Sequence, residues 1–157
     1  MNDLLTVLTW LHIFFVIGWF GSFLYVLFTL FPMLPKLTPQ SGKEFMFKLL
    51  PSHELFTILF ATGTIVAGVL LFLEMKTGQS NAWFSYIWPG MLAGLTAYIL
   101  VFVAMLSFHK MKKALGSIIN QPQVAMSPPP KSTIVLIIVS LVLLIFAMSF
   151  MVLAASA

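Results

Sequence analysis

The 157-residue chain contains no cysteine and no arginine, and only 8% of its residues are charged. Without cysteine there can be no disulfide, no iron–sulfur ligation and no thiol catalysis. Without arginine the chain lacks the planar fork that grips phosphates and base edges. The net charge of +4 therefore implies no nucleic-acid partner. An ordinary soluble domain carries roughly a quarter charged residues, so this composition excludes one, and it equally excludes disorder. There is no Gly-rich phosphate loop, and no Ser/His/Asp set falls at one depth of the chain. Hydrolytic and phosphoryl-transfer chemistry therefore have no visible machinery.

What the chain has instead is apolar length. Hydrophobic residues make up 61% of it, and the mean hydropathy is +1.06. All twelve charged side chains lie outside four stretches: Leu4 to Phe31, Leu55 to Leu73, Trp83 to Phe108 and Thr133 to Ala157. A hydrocarbon core of about 30 Å needs about 20 apolar residues, and each stretch meets or nearly meets that length. A charge at mid-span costs about 2.5–3.5 kcal/mol on the insertion scale, which accounts for the segregation. In lipid the backbone must satisfy its own hydrogen bonds, so the stretches are expected to be helices. The expectation is an all-α, integral membrane, antiparallel four-helix bundle forming a single transmembrane domain over residues 1–157. Its spans fall at about 4–31, 52–74, 87–109 and 132–155. The first stretch has no basic n-region and outruns an h-region, so it reads as a retained span and not a cleaved signal.

Seven of the eight lysines flank one side. Lys36, Lys43 and Lys48 lie between spans one and two, and Lys110, Lys112, Lys113 and Lys131 between spans three and four. Lys76 alone lies between spans two and three. The positive-inside rule then puts both termini outside and the lysine-rich loops in the cytoplasm, at a plasma membrane crossed several times. The lysines are expected to face lipid headgroups.

Local signals subdivide the chain further. Span one is expected to end at Pro32. Ser41-Gly42-Lys43-Glu44 has capping-box spacing, and a short interfacial helix, Phe45 to Leu50, should follow and be ended or kinked by Pro51. Span three should start at Pro89 and reach Leu115, with Gly116 as its cap. A Pro-rich linker, Gly116 to Pro130, leads to Ser132 as the cap of span four. Small residues recur at helical spacing and mark packing faces. They are Gly18, Gly21 and Ser22; Thr57, Ala61, Thr64 and Gly68; Gly90, Gly94, Ala97 and Ala104; and Thr133, Ser140, Ala147 and Ala154.

Few residues can carry chemistry. His12 lies eight residues into span one, roughly 12 Å deep at 1.5 Å per residue, with Phe15, Val16, Trp19 and Phe23 on its face. An intramembrane imidazole must find a partner, and it is a good haem ligand. The candidate function is axial ligation of a b-type haem in an aromatic pocket; the bland alternative is a histidine bonded to a nearby carbonyl or hydroxyl. His53 opens span two on the face of Thr57, Ala61 and Thr64, and His109 closes span three on the same side, with Glu54 nearby. They form a candidate second site for a metal or haem; the alternative is two interfacial histidines at helix ends. His12 and His109 differ in depth by about 15–20 Å and cannot share one iron. A partner for His12 must come from the outer half, where Met75 and Met91 are the soft candidates and five-coordination is the other option. The remaining methionines are scattered, so a copper-handling role ranks third.

Leu11-His12 followed by Trp19-Phe20-Gly21 resembles the opening helix of the HemJ and CopD membrane families. Phe47-Lys48-Leu49-Leu50-Pro51 is similar to their basic interfacial stretch, Thr62-Gly63 to their T-G, and Ser107-Phe108-His109 to the end of their third helix. The similarity spans roughly residues 4 to 115. It implies a four-helix haem b protein, with His12 as the haem ligand, His109 as the helix-three histidine and Trp19 in the cofactor pocket. HemJ acts as a protoporphyrinogen oxidase, and CopD-like proteins are associated with copper uptake or tolerance. The chain departs from the pattern in three places. The families' Arg after helix one is missing. Gly90 and Met91 stand where they carry a Lys, and Asn120-Gln121-Pro122 replaces their Asn-Glu-Pro.

Two readings stand side by side. One is a small b-haem-binding redox protein, and an oxidoreductase if it is an enzyme. It requires His12 to face a cavity in the bundle interior. The other is a non-catalytic accessory subunit of a larger membrane complex, partnered by other membrane subunits or by itself. It requires a bundle packed without a cavity.

Overall fold

The computed structural model describes residues 3–76, 79–121, 124 and 129–156. Pro122 and Pro128 of the expected linker, and Ala157 at the end of span four, lie outside the described residues. Four helices make up the fold: α1 (Asp3–Lys36), α2 (Pro39–Met75), α3 (Asn81–Ile118) and α4 (Lys131–Ala155). Each is long and apolar enough to cross a membrane. None shows a polar stripe opposite its packed face. Val135, Val142, Phe146 and Val152 of α4 are all exposed, as are Phe14 and Ile17 of α1. A helix that is apolar all round has lipid or protein as its surroundings.

The helices run further than local punctuation suggests. α1 does not stop at Pro32. It widens to a π-helical stretch at Tyr25–Leu30, closed by Phe31 N–H donating to the Val26 carbonyl, and continues to Lys36. The wider turn lies just before the proline, whose missing N–H and ring disrupt the ordinary ladder. The capping box at Ser41 is not formed. Thr38 is the cap, its Oγ1 accepting from the Ser41 backbone N–H at 3.2 Å with Pro39 at N1, while Glu44 accepts from Gln40 at 2.6 Å. The segment Phe45 to Leu50 is not a separate interfacial helix, because α2 passes through Pro51 without ending. Likewise α3 begins at Asn81, capped by Ser80 accepting from Trp83 N–H at 3.1 Å, and carries Pro89 inside. Gly116 is within α3, and α4 starts at Lys131 behind Pro130, so Ser132 is not its cap. In each case packing along the helix outweighs the loss of one backbone bond at a proline.

The helices pair as α1 with α2 and α3 with α4. The α3–α4 seam follows a heptad rhythm. Gly90, Gly94, Ala97, Val101, Ala104, Phe108 and Leu115 are buried on one side, and Thr133, Ile137, Ser140, Leu144, Ala147 and Ala154 on the other. Steps of three and four keep one face toward a partner, and small residues let the backbones approach. A Cβ on Gly90 would lie 3.3 Å from the Ala147 carbonyl oxygen, so only glycine fits without adjustment there. The α1–α2 pair interlocks through aromatics. The Phe15 ring covers Gly63 and the Phe60 ring covers Gly18, the two rings meeting edge-on at 5.8 Å.

At the end shared by the α2 N-terminus and the α3 C-terminus, the pairs close on each other. Met46, Leu50, Phe108 and Leu115 are almost wholly buried there. Lys43 is 0% exposed and does not face headgroups. Its Nζ donates to the carbonyls of Ile118, at 3.2 Å, and Gln121, at 2.5 Å. The last carbonyls of a helix lack partners and carry the negative end of its dipole, so a lysine is stabilised there.

Candidate functional site

At the opposite end a partly open cavity of about 510 Å3 lies between the two pairs. All four helices line it: Thr9, His12, Val16 and Trp19 from α1; Thr64, Gly68 and Met75 from α2; Trp83, Met91 and Gly94 from α3; Ala147, Met148 and Met151 from α4. Its volume falls within the about 300–1,000 Å3 typical of small-molecule sites. Gly68, Gly94 and Ala147 line part of it, beside the larger Trp19 and Trp83.

His12 is the ionisable side chain of this wall. Its Nδ1 lies 3.0 Å from the Thr64 carbonyl oxygen, a contact that fixes the Nδ1–H tautomer, because a carbonyl can only accept. The lone pair is left on Nε2, which has no hydrogen-bond partner among the described residues. The ring rests on Gly68, where a Cβ would lie 3.0 Å from Cε1 and 3.3 Å from Nδ1. Metal-ligating histidines commonly donate their other N–H to a backbone carbonyl in this way, which orients the ring and raises the basicity of the ligating nitrogen. Trp19 is 0% exposed and stands edge-on to Tyr98 at 6.4 Å. Its indole N–H has no partner among the described residues. Val16 and Phe23 are buried as well, and Phe15 is half-buried on Gly63.

The other two histidines lie elsewhere. His53 turns toward α1, its ring stacked on Tyr25 at 6.2 Å and Nε2 3.4 Å from the Ser22 carbonyl. It lines a separate groove with Gly18, Gly21 and Phe56. Ser22 is ten residues beyond His12, about 15 Å along α1. His109 is exposed on α3. Glu54 turns toward α3, where His109 and Lys112 act on its carboxylate, and its Oε1 is buried with no partner among the described residues. No group of three or more His, Cys, Asp or Glu side chains suited to a metal occurs among the described residues. His12 and Trp19 thus share one cavity, whereas His53 and His109 face different surroundings.

The sequence reading overlooked part of the cavity wall. Met148-x-x-Met151 places two thioethers on neighbouring turns of α4, and both line the cavity with Met75 and Met91. The three-residue spacing was the available signal. Comparisons with protein-family models, curated proteins and solved structures give no significant match.

Proposed function

We propose that the chain is a multi-pass integral membrane protein whose cavity holds a b-type haem on His12 and moves electrons. The four apolar helices support the membrane placement. Antiparallel order is supported by the contacts: along α1, Phe15, Gly18 and Ser22 meet Gly63, Phe60 and His53 in descending order. Plasma-membrane residence with the lysine-rich loops in the cytoplasm follows from the positive-inside rule.

The observation that carries the haem reading is the His12 imidazole, tied by Nδ1 to Thr64 and bordering a cavity of about 510 Å3. The donor set fits the group: one imidazole seated against Gly68, thioethers on the facing walls and an apolar lining. His12 would hold the iron through Nε2, and Val16 and Trp19 would pack beside the ring. Lys76 follows the cavity-lining Met75 and is the lysine at this end of the bundle, so it would take a carboxylate of the group. When bound, haem supplies a one-electron couple whose potential is set by axial ligands and burial. The residues themselves hold the imidazole tautomer, exclude water and keep the dielectric low.

The test is an absorption spectrum of the detergent-purified protein, oxidised and dithionite-reduced, beside His12→Ala. A Soret band with a sharp reduced α band, lost in the variant, is the expected result. A featureless visible spectrum from pure folded protein would sink the haem reading and return the accessory-subunit reading, to be pursued by pull-down.

A further inference from the structure

We infer that Met91 is the residue that faces His12 across the cavity and supplies the second axial ligand, an assignment that rests on the haem reading above. Four methionines line the cavity, and position separates them. His12 fixes the reference depth, because its ring contacts the Thr64 carbonyl and rests on Gly68 of α2.

The register between α2 and α3 transfers that depth to the facing wall. Phe72 packs on Trp88 at 5.5 Å, and Thr62 Oγ1 lies 3.1 Å from the Tyr98 hydroxyl. Between these two contacts α2 retreats ten residues while α3 advances ten, so the two helices stay in step. Four residues from Phe72 toward Thr62 is Gly68; four residues from Trp88 toward Tyr98 is Leu92. Leu92 is mostly exposed, and its neighbour Met91 is half-buried and lines the cavity. Phe72 also stacks on Trp83 at 6.0 Å, so these contacts place Met91 within about one helical turn, about 5.4 Å, of the depth of Gly68 and the His12 ring.

The other three are less well placed. Met75 stands seven residues beyond Gly68, about 10 Å further toward the helix end, and on the same helix that already supports the imidazole. Met148 lines the cavity but is 39% exposed. Met151 is drawn into the α3–α4 seam, its Cγ 3.8 Å from where a Gly90 Cβ would be. Nδ1 is committed to the Thr64 carbonyl of α2, so Nε2 is the nitrogen left to a ligand of the cavity. A thioether opposite an imidazole stabilises the reduced iron and raises the potential relative to two nitrogen ligands.

The test uses the full-length haem-loaded protein in detergent, as wild type and as Met91→Leu, Met91→His and Met75→Leu. The readouts are the weak far-red charge-transfer band of a thioether-bound ferric haem and the midpoint potential. The wild type should show the band. Met91→Leu should lose it, with the Soret absorbance kept and the potential lowered. Met91→His should give a six-coordinate low-spin spectrum without the band, which guards against a leucine variant that fails for reasons of packing. Met75→Leu should keep the far-red band. A His12-dependent haem with no such band, or a band that survives in Met91→Leu, overturns the assignment and leaves the cavity reading intact. Absence of any His12-dependent haem overturns both.

Discussion

The two ends of the bundle are built from the same helices, yet one is packed shut and the other leaves a partly open cavity. At the closed end Met46, Leu50, Phe108 and Leu115 fill the space between the helix pairs, and Lys43 ties α2 to the end of α3. At the cavity end the corresponding faces carry Gly68, Gly94 and Ala147. Side-chain volume at the seams, and not hydropathy, separates the two. Packing between the pairs is thereby concentrated in one half. The closed half can hold the pairs in register while the other half forgoes packing contacts and leaves a cavity.

That division is most sharply tested at Phe108, which is 2% exposed in the closed end. Truncating a buried phenylalanine costs about 3–5 kcal/mol, the lost transfer energy plus the hole left behind. Phe108→Ala should show that loss in a denaturant titration of the detergent-solubilised protein. A loss below about 1 kcal/mol would mean that the closed end is not where the bundle is held.

A smaller effect is expected where the α1–α2 pair interlocks. A methyl group on Gly18 would run into the Phe60 ring, which would then have to move against Phe14 and Phe15. Overpacking of this kind costs about 1–3 kcal/mol, so Gly18→Ala should destabilise by that much. Pairing it with Phe60→Leu, which clears the space, should recover part of the loss. Equal and additive losses would show that the ring and the glycine do not constrain each other.

The division of labour also explains what could be read from the chain alone. The apolar spans, the small-residue faces and the placing of His12 inside an apolar run are written locally. Charge is excluded from apolar runs, glycine and alanine recur at helical steps, and one imidazole sits where lipid penalises it. Helix ends were misplaced at Pro51 and Pro89 because proline is a local stop signal, whereas these helices are held by neighbours along their length. The burial of Lys43 depends on where another helix ends, seventy-five residues later at Ile118, which no local pattern contains. The cavity is less legible still, since it arises from what two helix pairs fail to fill. Met91 and Met151 come to line the same cavity as His12 only when four helices are assembled.

The finest test compares two glycines four residues apart on α3. At Gly94 a Cβ would meet only the Ala147 methyl, at 3.9 Å, an ordinary van der Waals distance. At Gly90 it would meet the Phe150 Cβ at 3.2 Å and the Ala147 carbonyl oxygen at 3.3 Å, and the backbone atom cannot swing aside. Replacing a mid-helix glycine by alanine gains about 0.5–1 kcal/mol where space allows, because the unfolded chain loses freedom it would otherwise regain. Gly94→Ala should therefore be neutral or slightly stabilising, and Gly90→Ala should be destabilising, in the same titration. The opposite order would mean that the α3–α4 seam is closest at Gly94 and not at Gly90.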